Sequence, residues 1–285
     1  MTDPAPSAPV SPALLSSAMR VFDLSLGQML WSRRSLFLGV LLGGPVLLAI
    51  VVRVLSALSE SGFSGFRIGG ARPDGSAVFG LMIWLLYVRF IVPVLGVFYG
   101  TALIADEVDD KTITYLFTRP IPRRAVLLGK YFAYLVCTTL LVLPSVMIVF
   151  FLVVPTGGGR VASAFPALVA DLGMLVVGLT AYGAVFALVG TRLDRPLVAG
   201  LVFTFGWEPA VLLFPGYLNR LTVAYYLQGL VTHEMPQDSA VGLLLRVFRD
   251  VPPLTTSLVS LAVIVVLALW LSGRAVERRE YVLEQ

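Results

Sequence analysis

Followed for its apolar and polar stretches, the chain resolves into six apolar runs: Leu36 to Leu55, Val78 to Ile104, Tyr131 to Val154, Pro166 to Gly190, Leu197 to Pro215 and Leu254 to Gly273. Each is close to the ~20 residues that a helix needs to cross the hydrocarbon core of a bilayer, so the pattern predicts six transmembrane helices. Ahead of them, Leu14 to Trp31 places Leu14, Leu15, Ala18, Val21, Phe22, Leu26, Met29 and Leu30 on one helical face, with Arg20, Asp23 and Gln28 elsewhere. This is the pattern of an amphipathic helix lying in the membrane interface, anchored at its end by Arg33 and Arg34. Anchoring alone accounts for it as well as any further role does.

The predicted fold is therefore an all-α membrane protein with six transmembrane helices. A disordered tail (1–12), an amphipathic interfacial helix (13–34), a six-span membrane domain (35–273) and a C-terminal tail (274–285) follow one another. The tail at the start lacks the basic stretch, apolar core and cleavage site of a removable signal peptide. Inside the membrane domain a polar loop covers 105–130. A longer semi-apolar loop covers 216–253, where Ala224 to Val231 and Val241 to Phe248 suit short helices on the outer surface.

Composition agrees, because 58% hydrophobic residues, 13% charged residues and a mean hydropathy of +0.89 exclude a soluble globular domain. The net charge of +4 does not indicate nucleic-acid binding. The arginines flank apolar runs without interleaved stacking aromatics, so they report orientation and contact with anionic lipid. With the N-terminus inside, thirteen Lys and Arg fall on inner segments and seven on outer ones, and Arg89 is left within a span. Both termini are therefore expected in the cytoplasm. Nineteen arginines against two lysines point to a GC-rich bacterial genome, and hence to a bacterial inner membrane.

The loop reads ADEVDDKTITYLFTRPIPRRAVLLGKY from Ala105 to Tyr131. Asp106, Glu107, Asp109 and Asp110 come first, then the half-apolar run Thr112 to Thr118, then Arg119, Arg123, Arg124 and Lys130. Acid before base suits the dipole of a short helix. Pro120 ends that helix, and Pro122 sits where a new helix starts and runs on into the third span. By charge alone, the loop is explained by the positive-inside bias.

The order of residues carries more than charge. Glu107, Thr112, Ile113, Leu116, Arg119, Pro120, Arg123, Gly129, Lys130 and Tyr131 follow one another as in the first cytoplasmic loop of the permease subunits of type-2 ABC transporters, which the chain resembles in span count and loop order as well. The resemblance implies that a short coupling helix between spans two and three docks on a separate ATPase. Glu107, Thr112, Ile113, Tyr115, Leu116, Arg119 and Arg123 are then the residues expected at that contact. It further implies a homodimer of permeases working with two ATPase copies that bind ATP and Mg, export rather than import, and no cofactor in this chain. In the resembled family, the helix before span one leans on the ATPase too.

Two ionisable residues lie at membrane depth, Arg89 in span two and Glu208 in span five beside Pro209. Such groups are costly unless they face protein or water and find a partner, so they are candidates for a buried pair that lines or gates a pathway, or for a purely structural one. Asp171, nearer the end of span four, is expected to be solvated. Gly39-x-x-x-Gly43 and Gly96-x-x-x-Gly100 are candidate helix contacts, within the subunit or at a dimer seam. Pro45, Pro93, Pro144 and Pro209 suggest kinks in the spans.

His233 is the only histidine and Cys137 the only cysteine, which removes Ser-His, HExxH and CxxC chemistry. No GxxxxGK[ST] phosphate loop occurs, and Leu271-Ser272-Gly273 at a membrane exit is a coincidental echo of an ABC signature. The chain is not expected to hydrolyse ATP. An intramembrane protease would need a nucleophile-base pair at depth, which the lone His233 does not supply. An ATP-independent carrier or a membrane assembly scaffold remains the alternative, and the substrate is not legible.

Overall fold

The computed structural model describes residues 14–30, 33–60, 75–104, 122–212, 217–231 and 252–278. Among these every regular element is helical and none is a strand. In chain order they are α1 (Leu14–Leu30), α2 (Arg33–Glu60), α3 (Gly75–Ile104), α4 (Arg123–Val153), α5 (Val161–Arg192), α6 (Pro196–Val211), α7 (Val223–Gln228) and α8 (Leu254–Arg278), with single 3-10 turns at Thr156–Gly158 and Tyr217–Leu221.

Five helices, α2, α3, α4, α5 and α8, are long and apolar enough to cross a membrane. The predicted fifth span corresponds to α6, which is apolar but has only 16 helical residues from Pro196 to Val211. The predicted single helices of spans two and five are also not uniform. The backbone widens into π-helical turns at Ile83–Ile91 and Gly96–Gly100 in α3, and at Val202–Trp207 in α6.

Two of these wide stretches end two residues before a proline, Pro93 and Pro209. A proline ring clashes with the carbonyl four residues back and offers no N–H. Bonding five residues back, as Val92 N–H does to the Tyr87 carbonyl and Glu208 N–H to that of Phe203, gives the preceding turn a wider path.

Helices α4 and α5 form the centre of the bundle. Helix α2 packs on α4, α8 on α5 and α4, and α3 and α6 on α5. Close approach of α3 to α5 depends on glycine. A Cβ at Gly96 would stand 2.8 Å from Tyr182 Cβ, and one at Gly100 2.9 Å from Phe186 Cβ. The first Gly-x-x-x-Gly differs, since Cβ atoms at Gly39 and Gly43 would meet nothing within 4 Å. Of the two motifs, only the second is an intrachain contact among the described residues.

Buried hydroxyls tie the helices at several levels. Tyr87 Oη and Ser145 Oγ lie 2.7 Å apart across α3 and α4, Tyr131 donates to the Thr180 carbonyl at 2.8 Å, and Tyr134 donates to that of Leu179 at 3.0 Å. In apolar surroundings such bonds contribute ~0.6 kcal/mol on average. Cys137 is buried and free.

One expectation is overturned. Asp171 is not solvated but only 1% exposed, because α5 begins at Val161 and carries that position into the bundle. A short helix does form near Ala224, as α7, and it buries Val223, Ala224 and Leu227 against α5 and α8. Val241 to Phe248 and His233 lie outside the described residues.

Candidate functional site

Two places bear on function. The first is the end of the bundle where the chain leaves α3 at Ile104 and returns at α4. Residues 105–121 lie outside the described residues, and with them Glu107, Thr112, Ile113, Tyr115, Leu116 and Arg119. Arg123 is described and opens α4 directly after Pro122, so the helix issuing from the loop runs unbroken to Val153, as Pro122 led the sequence to predict.

Three elements brace the start of α4. Helix α1 lies along it at Gly129, where a Cβ would stand 2.6 Å from the Ala18 carbonyl and 2.8 Å from Val21 Cβ. Only a residue without a side chain allows that approach. Helix α1 therefore presses one side on α4: Ser17, Ala18 and Ser25 are buried, whereas Met19 and Leu24 are exposed. On another side stands the end of α8. Arg124 Nε and Nη2 reach the Glu277 carboxylate at 2.5 and 2.6 Å, and Arg123 donates to the Glu277 carbonyl at 3.4 Å. The pair is exposed. The third brace is α5, through Tyr131, and Lys130 between these contacts is buried. Gly129, Lys130 and Tyr131 thus make the first turns of α4 a body joined to α1, α5 and α8.

The second place lies among α3, α5, α6 and α7, at the two ionisable residues of the apolar runs. Glu208 is 3% exposed, and Tyr182 Oη from α5 stands 2.8 and 2.7 Å from its two carboxylate oxygens. The backbone N–H of Ala224 in α7 donates to the same carboxylate. Arg89, from the π-helical part of α3, is half-buried, with its guanidinium carbon 5.2 Å from the ring centre of buried Trp84. Arg89 interacts with Glu208 through charge, but among the described residues it makes no direct ion pair with the carboxylate. The structure thus gathers both predicted residues at one site, with Tyr182 as the group bonded to the acid.

Tyr182, Trp84 and the Ala224 amide were not singled out from the sequence. The signal available for Tyr182 was a hydroxyl within an apolar span, which needs a partner when buried. None existed for the Ala224 amide, a backbone group brought in by tertiary folding.

The profile of the ABC-2 family transporter protein matches residues 13–275. The chain belongs to the ABC-2 transporter family. An ABC-2 permease is a membrane component that is not itself an ATPase and generally works with an ABC ATPase partner. Together with its apolar helices, this makes the chain a multi-pass membrane permease of an ABC transporter. Among curated proteins no significant match is found. In this ABC-2 permease the matched region takes in α1, the bundle and nearly all of α8, and hence both places described above.

Proposed function

We propose that this ABC-2 permease forms the translocation pathway of an ATP-driven exporter and receives the ATPase stroke through the 105–130 loop. Two permease copies and two ATPase subunits make up the working transporter. It sits in a bacterial inner membrane with both termini cytoplasmic, and α6 acts as the sixth, shortened span. ATP and Mg belong to the partner, and this chain carries no cofactor of its own.

Glu107, Thr112, Ile113, Tyr115, Leu116, Arg119 and Arg123 touch the ATPase. When the ATPase dimer closes, the loop moves, and the start of α4 moves with it. The observation that carries this reading is the bracing of that start: Gly129 seats α1, Tyr131 bonds to α5, and Arg123 and Arg124 hold the end of α8. A displacement delivered at Arg123 is then passed to several helices at once and not absorbed by bending one. Arg89 and Glu208 line the pathway they flank.

The test is a pull-down from native membrane in mild detergent, comparing wild type with the variant carrying Glu107→Arg and Leu116→Asp. Capture of a nucleotide-binding ATPase by wild type and its loss from the variant is the expected result. Equal capture by both removes the loop from the coupling surface. No ATPase with wild type overturns the ATP-driven reading.

A further inference from the structure

At the second place, the acid and the base are in different circumstances. The Glu208 carboxylate is shielded from outside contact, and its oxygens are met by Tyr182 Oη and the Ala224 N–H. Arg89 is half-buried, and a guanidinium has five N–H donors in a fixed fork. Among the described residues none of those donors has an acceptor; the group is held by the face of Trp84 and by charge at longer range. A cation within an apolar span is costly, by ~2.5–3.5 kcal/mol on insertion scales, and a cation–π contact offsets part of that, from ~0.5–1 kcal/mol at exposed sites to ~2 or more when desolvated. A protein needing only a neutral buried pair would be expected to close the fork on the carboxylate. Here the carboxylate accepts from Tyr182 and the Ala224 N–H, and among the described residues it accepts nothing from Arg89.

Next to Arg89 and Glu208 the same two helices present apolar rings outward. Phe90 of α3 and Phe205 of α6 lie 6.0 Å apart, 43% and 49% exposed. The edge where α3 meets α6 therefore carries two exposed rings next to a guanidinium that has no hydrogen-bond acceptor among the described residues.

We propose that Arg89 anchors the anionic head group, a carboxylate or phosphate, of an apolar, lipid-like molecule that enters between α3 and α6 along Phe90 and Phe205. This rests on the pathway reading above, in which the anchored molecule is the one transported. The planar fork suits both head groups, because it offers two parallel N–H donors to two oxygens. Glu208 does not defeat the attraction. A bound anion would touch the guanidinium, whereas among the described residues Arg89 makes no direct ion pair with the carboxylate, and Coulomb energy falls with distance.

The experiment measures binding to the purified full chain in nonionic detergent without any ATPase, by calorimetry and by the fluorescence of tryptophan, one of which, Trp84, stacks on Arg89. The probes are decyl phosphate, decanoate, decanol and inorganic phosphate. Decyl phosphate and decanoate are expected to bind saturably and at least ten-fold tighter than decanol. Arg89→Gln should erase that difference and Arg89→Lys should keep part of it. Anionic probes that bind wild type no tighter than decanol overturn the proposal, and this comparison stands even where Arg89→Gln does not fold. Folded Arg89→Gln that keeps the full preference overturns it as well. Inorganic phosphate binding as tightly as decyl phosphate overturns the lipid-like source in favour of a free anion. Since no ATPase is present, failure here leaves the coupling loop standing, and failure of the pull-down leaves the anchor standing.

Discussion

Replacing Tyr182 by Phe removes one oxygen from a fully buried side chain and leaves its packing on Gly96 and Phe186 in place. That oxygen lies 2.8 and 2.7 Å from the two oxygens of Glu208, so the perturbation falls almost wholly on one contact. Neutral hydrogen bonds between membrane helices average ~0.6 kcal/mol and reach ~1.7. Bonds to a charged group run about 1.5–3 kcal/mol. A buried carboxylate left with the Ala224 N–H and the longer-range field of Arg89 is expected where those ranges meet, at about 1.5–2 kcal/mol for Tyr182→Phe.

The assay is a double-mutant cycle of Tyr182→Phe and Glu208→Leu, read by reversible unfolding in a denaturing-detergent titration. A coupling near 1.5 kcal/mol is expected, which is more than ten-fold in the folding equilibrium. A coupling near 0.6 would place the contact among ordinary neutral bonds. Single effects that add within ~0.5 kcal/mol would refute the claim that Tyr182 holds the acid.

The two Gly-x-x-x-Gly motifs should separate. Gly96→Val drives a side chain into Tyr182 and should cost about 1–3 kcal/mol, while Gly39→Val meets no atom within 4 Å and should stay within ~0.5 in the monomer, both read in the same titration. Gly129→Leu collides with Ala18 and Val21 and should lift α1 from α4. In a Cys137→Ala background, maleimide labelling of Ser17→Cys, a position 4% exposed, should change from slow to rapid. The Arg124 and Glu277 side chains are exposed, so Arg124→Glu should leave the unfolding midpoint where it was, and the charge-swapped pair should match it. A large loss from Arg124→Glu alone would mean that the pair contributes to the stability of the whole bundle, beyond joining α8 locally to the start of α4.

The membrane class of this protein follows from its sequence by counting, because a bilayer demands long apolar runs and tolerates few exceptions. The five long helices lie where those runs predict, and the start of α4 after Pro122 was readable from proline chemistry. Arg89 and Glu208 were conspicuous for the same reason, as charges where charge is costly. Hydropathy does not encode how far a helix sits from its neighbour. It could not tell the packed Gly96 motif from the open Gly39 motif, nor a solvated Asp171 from a buried one, since periodicity is silent on which neighbour occupies a face.

The wide turns before Pro93 and Pro209, the seating of α1 on Gly129 and the burial of α7 against α5 and α8 depend on contacts distant in sequence. The same holds for the contact between Tyr182 and Glu208, 26 positions apart, which exists only once α5 and α6 are packed side by side. The sequence by itself determined that the acid and the base lie in apolar runs, where a charge needs a partner. Tertiary structure decided that the acid is bonded to Tyr182 and that the base has no acceptor among the described residues, because hydrogen bonding depends on where atoms meet in space.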